Sequence, residues 1–303
     1  MDGHRTTRRT VAARMTALAA CLFVAAVFSC QKKGQPTGAT SPAKPANGTL
    51  TIKGSDTMVQ LTSAWAEAFM KARPEVEIAV TGGGSGTGFA ALLNGTTDLC
   101  AASREISEKE KKQAEQKGIK PIEVTVARDG IAVVVHPQNP VGVLTMEQLK
   151  KIYTGAYTKW SQVGGPDEAI ILLSRESNSG TYMFFQEHVL EKADYAQATR
   201  LMPATSAIVQ AVSTDKTAIG YIGLGYAVEA KGKVKMLAVK AHEDAPAITP
   251  SEEAVKAGTY AIARKLYFYA NGTPGGAAKD FVEFCLSEAG QKIVRETGYV
   301  TVK

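Results

Sequence analysis

Apolar positions in this chain fall into short strand-like runs separated by stretches of helical spacing. Residues 50–53 (Leu-Thr-Ile-Lys) read as a strand, and the segment after them places Met58, Leu61, Trp65 and Phe69 on one helix face until Pro74 stops it. Residues 76–80 predict a second strand, 89–93 the start of a second helix, 98–102 a third strand, and 107–117 a helix ended by Gly118. This repeated order favours a mostly parallel sheet with helices on both faces. A second set follows. Residues 131–136 form a continuous apolar run ending at Pro137, and Thr145-Met146-Glu147-Gln148 is a capping box for a helix to Tyr153. Residues 170–173 predict a buried strand, followed by a helix carrying Tyr182, Phe185, Gln186 and Val189 on one side. Residues 218–222, 234–239 and 266–269 read as further strands, and 279–285 as a C-terminal helix. The fold class implied is α/β, with two sheets and a ligand crevice outside the strand carboxyl ends.

The first 30 residues stand apart from this pattern. Arg5, Arg8, Arg9 and Arg14 precede an apolar run over residues 15–29, long enough for a signal sequence and short for a membrane span. The run ends in Val27-Phe28-Ser29-Cys30, which resembles a bacterial lipobox. That resemblance implies a lipoprotein signal over residues 1–29, with Cys30 lipidated as the first mature residue. Residues 31–48 contain no large apolar side chain, so they predict a flexible tether. An anchor followed by a tether suits a domain working at a membrane surface.

About 255 residues remain from Thr49. The formal charge of +6 falls to +3 without the leader, whose charged residues are four Arg and one Asp. No block of like charge stands out, which argues against a nucleic-acid partner. Of four cysteines, Cys100 and Cys285 lie in apolar surroundings of the mature chain and read as small buried hydrophobes. His136, His188 and His242 have no ligand spacing to one another, so no metal site is expected.

Three glycine- and hydroxyl-rich stretches carry the candidate chemistry: Gly54-Ser55-Asp56-Thr57, the loop over residues 82–88, and Arg175-Glu176-Ser177-Asn178-Ser179-Gly180-Thr181. Each runs straight into a helical pattern. A helix start exposes unpaired N–H groups and about half a positive charge, so three such turns brought together would hold a small anion.

With their order and spacing, these stretches resemble the phosphate-binding proteins of bacterial phosphate ABC transporters over nearly the whole mature chain. Residues 145–149, Tyr153-Thr154-Gly155, Trp160, residues 218–226 and residues 266–269 support the resemblance. It implies a type II periplasmic-binding-protein fold of two α/β lobes joined by a two-crossing hinge, with the ligand in the cleft. The first lobe would comprise residues 49–127 and 240–303, and the second residues 128–239. The implied ligand residues are Thr57 and Met58 in the first stretch, Ser85 in the second, and Arg175, Ser179, Gly180 and Thr181 in the third. Ser55, Asp56 and Arg104 form a second tier. The implied function is high-affinity phosphate binding outside the cytoplasmic membrane and delivery to an ABC permease. The receptor would act as an anchored monomer in the periplasm or at the cell surface, with no cofactor and no catalysis.

Ser103 falls where many members of that family carry an aspartate that accepts the proton of hydrogen phosphate. A hydroxyl donates to sulfate as readily, so the alternatives are a same-fold receptor for sulfate, arsenate or molybdate, or a phosphate sensor or scavenger. Asp56 is a candidate for the missing acceptor and equally for a helix N-cap. Ser85 and Ser179 lie outside Gly-x-Ser-x-Gly and have no histidine placed as base, against an enzyme. The 82–88 loop does not fit a dinucleotide-binding Gly-x-Gly-x-x-Gly motif.

Overall fold

The computed structural model describes residues 49–302; the leader, Cys30 and the tether lie outside them. Among the described residues no helix is long and apolar enough to cross a membrane. Strand β1 (Leu50–Gly54) alternates buried and half-buried positions. A 3-10 turn (Asp56–Met58) leads into α1 (Val59–Ala72), which buries Leu61, Trp65 and Phe69 and stops just before Pro74. Then come β2 (Ile78–Thr81), α2 (Ser85–Leu93), β3 (Leu99–Ala102) and α3 (Glu108–Gln116). Both β2 and β3 run parallel to β1, as the periodicity predicts.

Strand β4 (Pro121–Val135) is longer than its apolar run, because residues 121–130 also pair, although they mix polar with apolar side chains and leave Ile122 and Glu123 exposed. The chain continues through β5 (Val143–Thr145), α4 (Met146–Tyr153), β6 (Ile171–Arg175), α5 (Gly180–His188), β7 (Arg200–Met202) and α6 (Thr205–Thr214). It ends with β8 (Ala218–Gly223), α7 (Leu224–Glu229), β9 (Lys235–Met236), β10 (Ala238–Lys240), α8 (Glu252–Lys256), β11 (Ala263–Asn271), α9 (Gly276–Leu286) and α10 (Glu288–Glu296).

The strands join in the order β2-β1-β3-β11-β4-β8-β6-β7, with β9 also on β4, and β10 pairs β5 separately. This differs from the mostly parallel pattern expected. Strand β11 is antiparallel to both β3 and β4, and β4 is antiparallel to β8. The reason is the path of the chain. Strand β4 leaves the first group and β11 returns to it, so the two run side by side in opposite directions. Residues 121–130 of β4 pair with β11 and residues 131–135 with β8, which makes one strand common to both sheets.

Each sheet is covered on both faces. Trp65, Phe69, Phe268 and Phe281 fill the layer between the first sheet and α1, α9 and α10, and the Trp65 indole donates to the Gly290 carbonyl at 2.8 Å. Phe89, Cys100, Tyr267 and Tyr269 fill the opposite layer. In the second sheet, Tyr153, Trp160, Phe185 and Tyr221 form one layer, with the Phe185 and Tyr221 rings stacked 3.9 Å apart. Ile208, Val212 and Ile222 form the other. Cys100 and Cys285 are both buried and unbridged.

Val255, Tyr260 and Ile262 pack in the second core, and the Tyr260 hydroxyl donates to the Ile131 carbonyl at 2.7 Å. Helix α8 places Val255 against Gly130 of β4. The start of α3 explains Arg104. Ser107 and Glu110 form a reciprocal capping box, and Arg104 makes a two-pronged 2.8 Å pair with the same glutamate while lying over the Phe89 ring.

Burial pushes the Glu110 carboxyl up, but the Arg104 hydrogen bonds and charge, with the Ser107 donors, hold it below the ordinary 4.5. A lowered carboxyl contributes stability above its unfolded value and loses it as the pH falls through the folded value. We expect Glu110→Gln to lower the urea midpoint at pH 7, with the gap to the parent chain shrinking by pH 3.

Candidate anion-binding site

All three glycine- and hydroxyl-rich stretches follow the carboxyl ends of strands or open helices at the junction of the two sheets. The first begins at Gly54, whose φ of +143° suits glycine, and any Cβ there would lie 2.1 Å from the Ala101 carbonyl oxygen. The next residue is tied down at once: Ser55 N donates to the same carbonyl at 2.7 Å. Ser55, Thr57 and Met58 are buried, and Met58 N closes the 3-10 turn onto the Ser55 carbonyl at 3.0 Å. In the second stretch, Gly84 N donates to the Gly54 carbonyl at 2.9 Å, and Ser85 opens α2 fully buried. In the third, Ser179 is the N-cap of α5 and accepts from Thr181 N at 3.2 Å.

These stretches converge. Thr57 Oγ1 lies 2.9 Å from Thr181 Oγ1, joining the first stretch to the third. Ser85 Oγ accepts from Ser103 N at 3.1 Å and lies 3.4 Å from Ser103 Oγ. A Cβ on Gly180 would stand 2.3 Å from Ser85 Oγ and 2.6 Å from Ser103 Oγ. Thr57, Ser85, Ser103, Gly180 and Thr181 are thus gathered into one buried cluster of hydroxyls beside the starts of α2 and α5. The second and third stretches also meet through main chain: Gly86 N donates to the Asn178 carbonyl at 2.9 Å, and Asn178 Nδ2 donates to the Gly83 carbonyl at 2.9 Å.

Other residues singled out from sequence have different surroundings. Arg175 is buried, but its donors go to Met202 O, Asp56 Oδ2, Thr205 Oγ1 and Pro203 O at 2.9–3.2 Å. Four of its five N–H groups are so engaged. Asp56 does not cap its own helix; its carboxylate crosses to Arg175 at 2.9 Å and to Thr205 N at 2.7 Å. Arg104 belongs to the α3 start described above and not to the hydroxyl cluster.

Two residues that sequence reasoning missed border the cluster. Asp129 on β4 and Arg264 on β11 are directly opposed in register and form a buried ion pair at 2.8 Å. Arg264 also donates to the Ser103 carbonyl at 3.0 Å and to Thr57 Oγ1 at 3.3 Å. The other Asp129 oxygen accepts from Leu224 N, the first residue of α7, at 2.9 Å. Burial pushes the Asp129 carboxyl up, and Arg264 with the Leu224 and Gly130 amides pulls against it. The available signal was a charge between Ala127 and Ile131 in an apolar strand, but its partner lies 135 positions away.

Residues 39–289 match the model of the PBP superfamily domain. The phosphate-binding protein PstS of Pseudomonas aeruginosa is 33% identical over 93% of both chains. That of Staphylococcus epidermidis is 33% identical over 88% of this chain and 83% of its own. The chain belongs to the family of bacterial phosphate-binding proteins. Among solved structures, a phosphate ABC transporter substrate-binding protein with bound phosphate from Clostridium perfringens matches with a TM-score of 0.74 and 32% identity, over 84% of this chain and all of that one. An ABC-type phosphate transport receptor from Vibrio cholerae matches with a TM-score of 0.67 and 29% identity, over 83% and 99%. The mixed sheet with its shared strand is thus the family's periplasmic-binding-protein-like fold. Both of these solved relatives are named as binding components of phosphate transporters.

Removing one partner of a buried ion pair strands the other, typically at about 3–5 kcal/mol. Arg264→Ala should destabilise the chain by that order in urea unfolding. The double replacement Arg264→Met with Asp129→Leu should recover a large part of the loss.

Proposed function

We propose that this chain binds inorganic phosphate between its two groups of strands and delivers it to the membrane permease of an ABC transporter. The observation that carries the reading is the convergence of Thr57, Ser85, Ser103, Gly180 and Thr181 at the starts of α2 and α5. Hydroxyls and helix-start amides are donors to a tetrahedral oxyanion, and they supply partial positive charge without a full cation. Ser179, Met58 and the remaining Arg175 N–H complete the proposed set. Ser103 is the proposed partner of the phosphate proton, since a hydroxyl accepts as well as donates.

The geometry changes how charge would be balanced. Arg175 faces Asp56 and Arg264 faces Asp129, so each arginine is locally neutralised. Compensation of the anion then falls on the helix starts, at about half a charge each. We place the lobes at residues 49–128 with 263–302, and 129–262, hinged where β4 and β11 cross. Hinge opening would admit the anion, and the two crossings allow it without unfolding either core. Lipidated Cys30 and the tether over residues 31–48 would hold this monomeric receptor outside the membrane and within reach of the permease. No bond is made or broken in this reading.

Equilibrium dialysis with labelled phosphate should show one site per chain, displaced by unlabelled phosphate and far less by excess sulfate. Sulfate competing at equal concentration would overturn phosphate as the preferred ligand. Gly180→Ala would push a methyl group into Ser85 Oγ and Ser103 Oγ, and we expect phosphate affinity to fall at least about tenfold, or ~1.4 kcal/mol. Titration calorimetry with circular dichroism on the same sample separates this loss from unfolding.

A further inference from the structure

We propose that Asp56 is a latch between the two lobes, a positioning residue that holds the site shut and sets how long the anion stays. As a statement about anion release, it rests on the phosphate-binding reading; as a statement about the lobes it does not. The residue sits in the turn that opens α1, in the first lobe, yet none of its carboxylate bonds serve that helix. One oxygen, Oδ2, accepts from two second-lobe groups, Arg175 Nη1 at 2.9 Å and Thr205 N at 2.7 Å. Its main-chain carbonyl accepts from the Tyr226 hydroxyl of α7 at 3.2 Å, a third bond across the same boundary.

Both carboxylate bonds are of the strong kind. The first is a charge-assisted pair whose arginine side chain is 2% exposed and whose aspartate is 17% exposed, so water screens it weakly. The second places a negative charge on the start of α6, a helix of 10 residues, where its unpaired amides and dipole favour one. Helix α6 has no side-chain cap of its own, because its N-cap position is Ala204. The first lobe supplies the cap that the second lobe's helix lacks. Opening the lobes would therefore strip α6 of its cap and leave Arg175 without its counter-charge in one movement.

Position in the chain couples this latch to the site. Asp56 is the immediate neighbour of Thr57, whose hydroxyl meets Thr181 of the second lobe at 2.9 Å. Arg175 is held by Met202 O and Pro203 O, on the short segment that runs into α6. A pull on either partner is felt at once by the loop that carries Thr57 or by the strand end that leads to Ser179. The same contacts commit Asp56 Oδ2 to Arg175 and to the start of α6.

Two variants test the latch from opposite sides. Asp56→Asn keeps the shape and removes the charge. Thr205→Pro removes the N–H donor at the first helical position, together with the hydroxyl that accepts from Arg175; proline is well tolerated there and follows Ala204 in an extended conformation that proline accepts. Hydrogen exchange is followed by mass spectrometry over the amides of residues 206–212, present in both variants, of the full chain without phosphate, and phosphate release is followed by stopped flow. In both variants we expect exchange in that segment to rise at least tenfold. Phosphate release should also quicken at least tenfold, with association changed less than twofold. Unchanged protection of 206–212 in the folded variants would overturn the latch whatever the anion proves to be. Increased exchange with an unaltered release rate would overturn its role in retention. If Asp56→Asn fails to fold, Thr205→Pro alone decides the matter. Failure of the parent chain to bind phosphate would sink the phosphate reading while leaving the exchange result to judge the latch.

Discussion

The Asp129–Arg264 pair is the contact on which the rest of the arrangement depends. It joins β4 to β11 at the place where the chain passes between its two cores, and both side chains are essentially unexposed. Two ions so placed are tolerable only if their remaining hydrogen-bonding capacity is met. That requirement organises the neighbourhood. The Asp129 carboxylate takes the Leu224 amide and so fixes the start of α7, while the Arg264 guanidinium takes the Ser103 carbonyl and the Thr57 hydroxyl. The crossing of the strands, the first stretch and the loop after β3 are thereby held as one body.

A second aspartate–arginine pair repeats the logic. Asp56 meets Arg175 and the first amide of α6, as Asp129 meets Arg264 and the first amide of α7. Four of the five N–H groups of each arginine are therefore spent on the protein itself. A site walled by balanced pairs and furnished with neutral donors can hold a doubly charged guest through many small contributions, each strengthened by exclusion of water. Such a site depends on position more than on charge, which is why the glycines that allow close approach matter as much as the hydroxyls.

Much of this was legible in the sequence, for local reasons. The strand–helix alternation of the first group, the capping box at Thr145 and the three hydroxyl-rich turns are set by neighbours a few positions apart, and the structure has them where expected. What could not be read depends on partners far along the chain. The polar half of β4 has no apolar run to announce it, and its pairing with β11 joins residues more than a hundred positions apart. The packing of Val255 beside Gly130 is a matter of volume that no motif encodes. Arg175 was correctly placed at the end of a buried strand, but its companions Asp56 and Thr205 belong to other segments. The hydroxyl cluster was thus foreseeable from its turns, and the ion pairs around it were not.

One contact described above bears on how such a chain can change over generations. The Gly86 amide and the Asn178 carbonyl join the second and third turns through main-chain atoms that every residue but proline possesses. Proline at position 86 apart, no substitution deletes that bond by removing a functional group. Otherwise it is added bulk that breaks it, since a Cβ on Gly86 would come within 3.1 Å of the same carbonyl oxygen and one on Gly84 within 2.7 Å. Mutational tolerance at this seam should therefore be lopsided. Replacements at the polar side chains around it can drift through many chemistries, whereas the two glycines admit almost no increase in size.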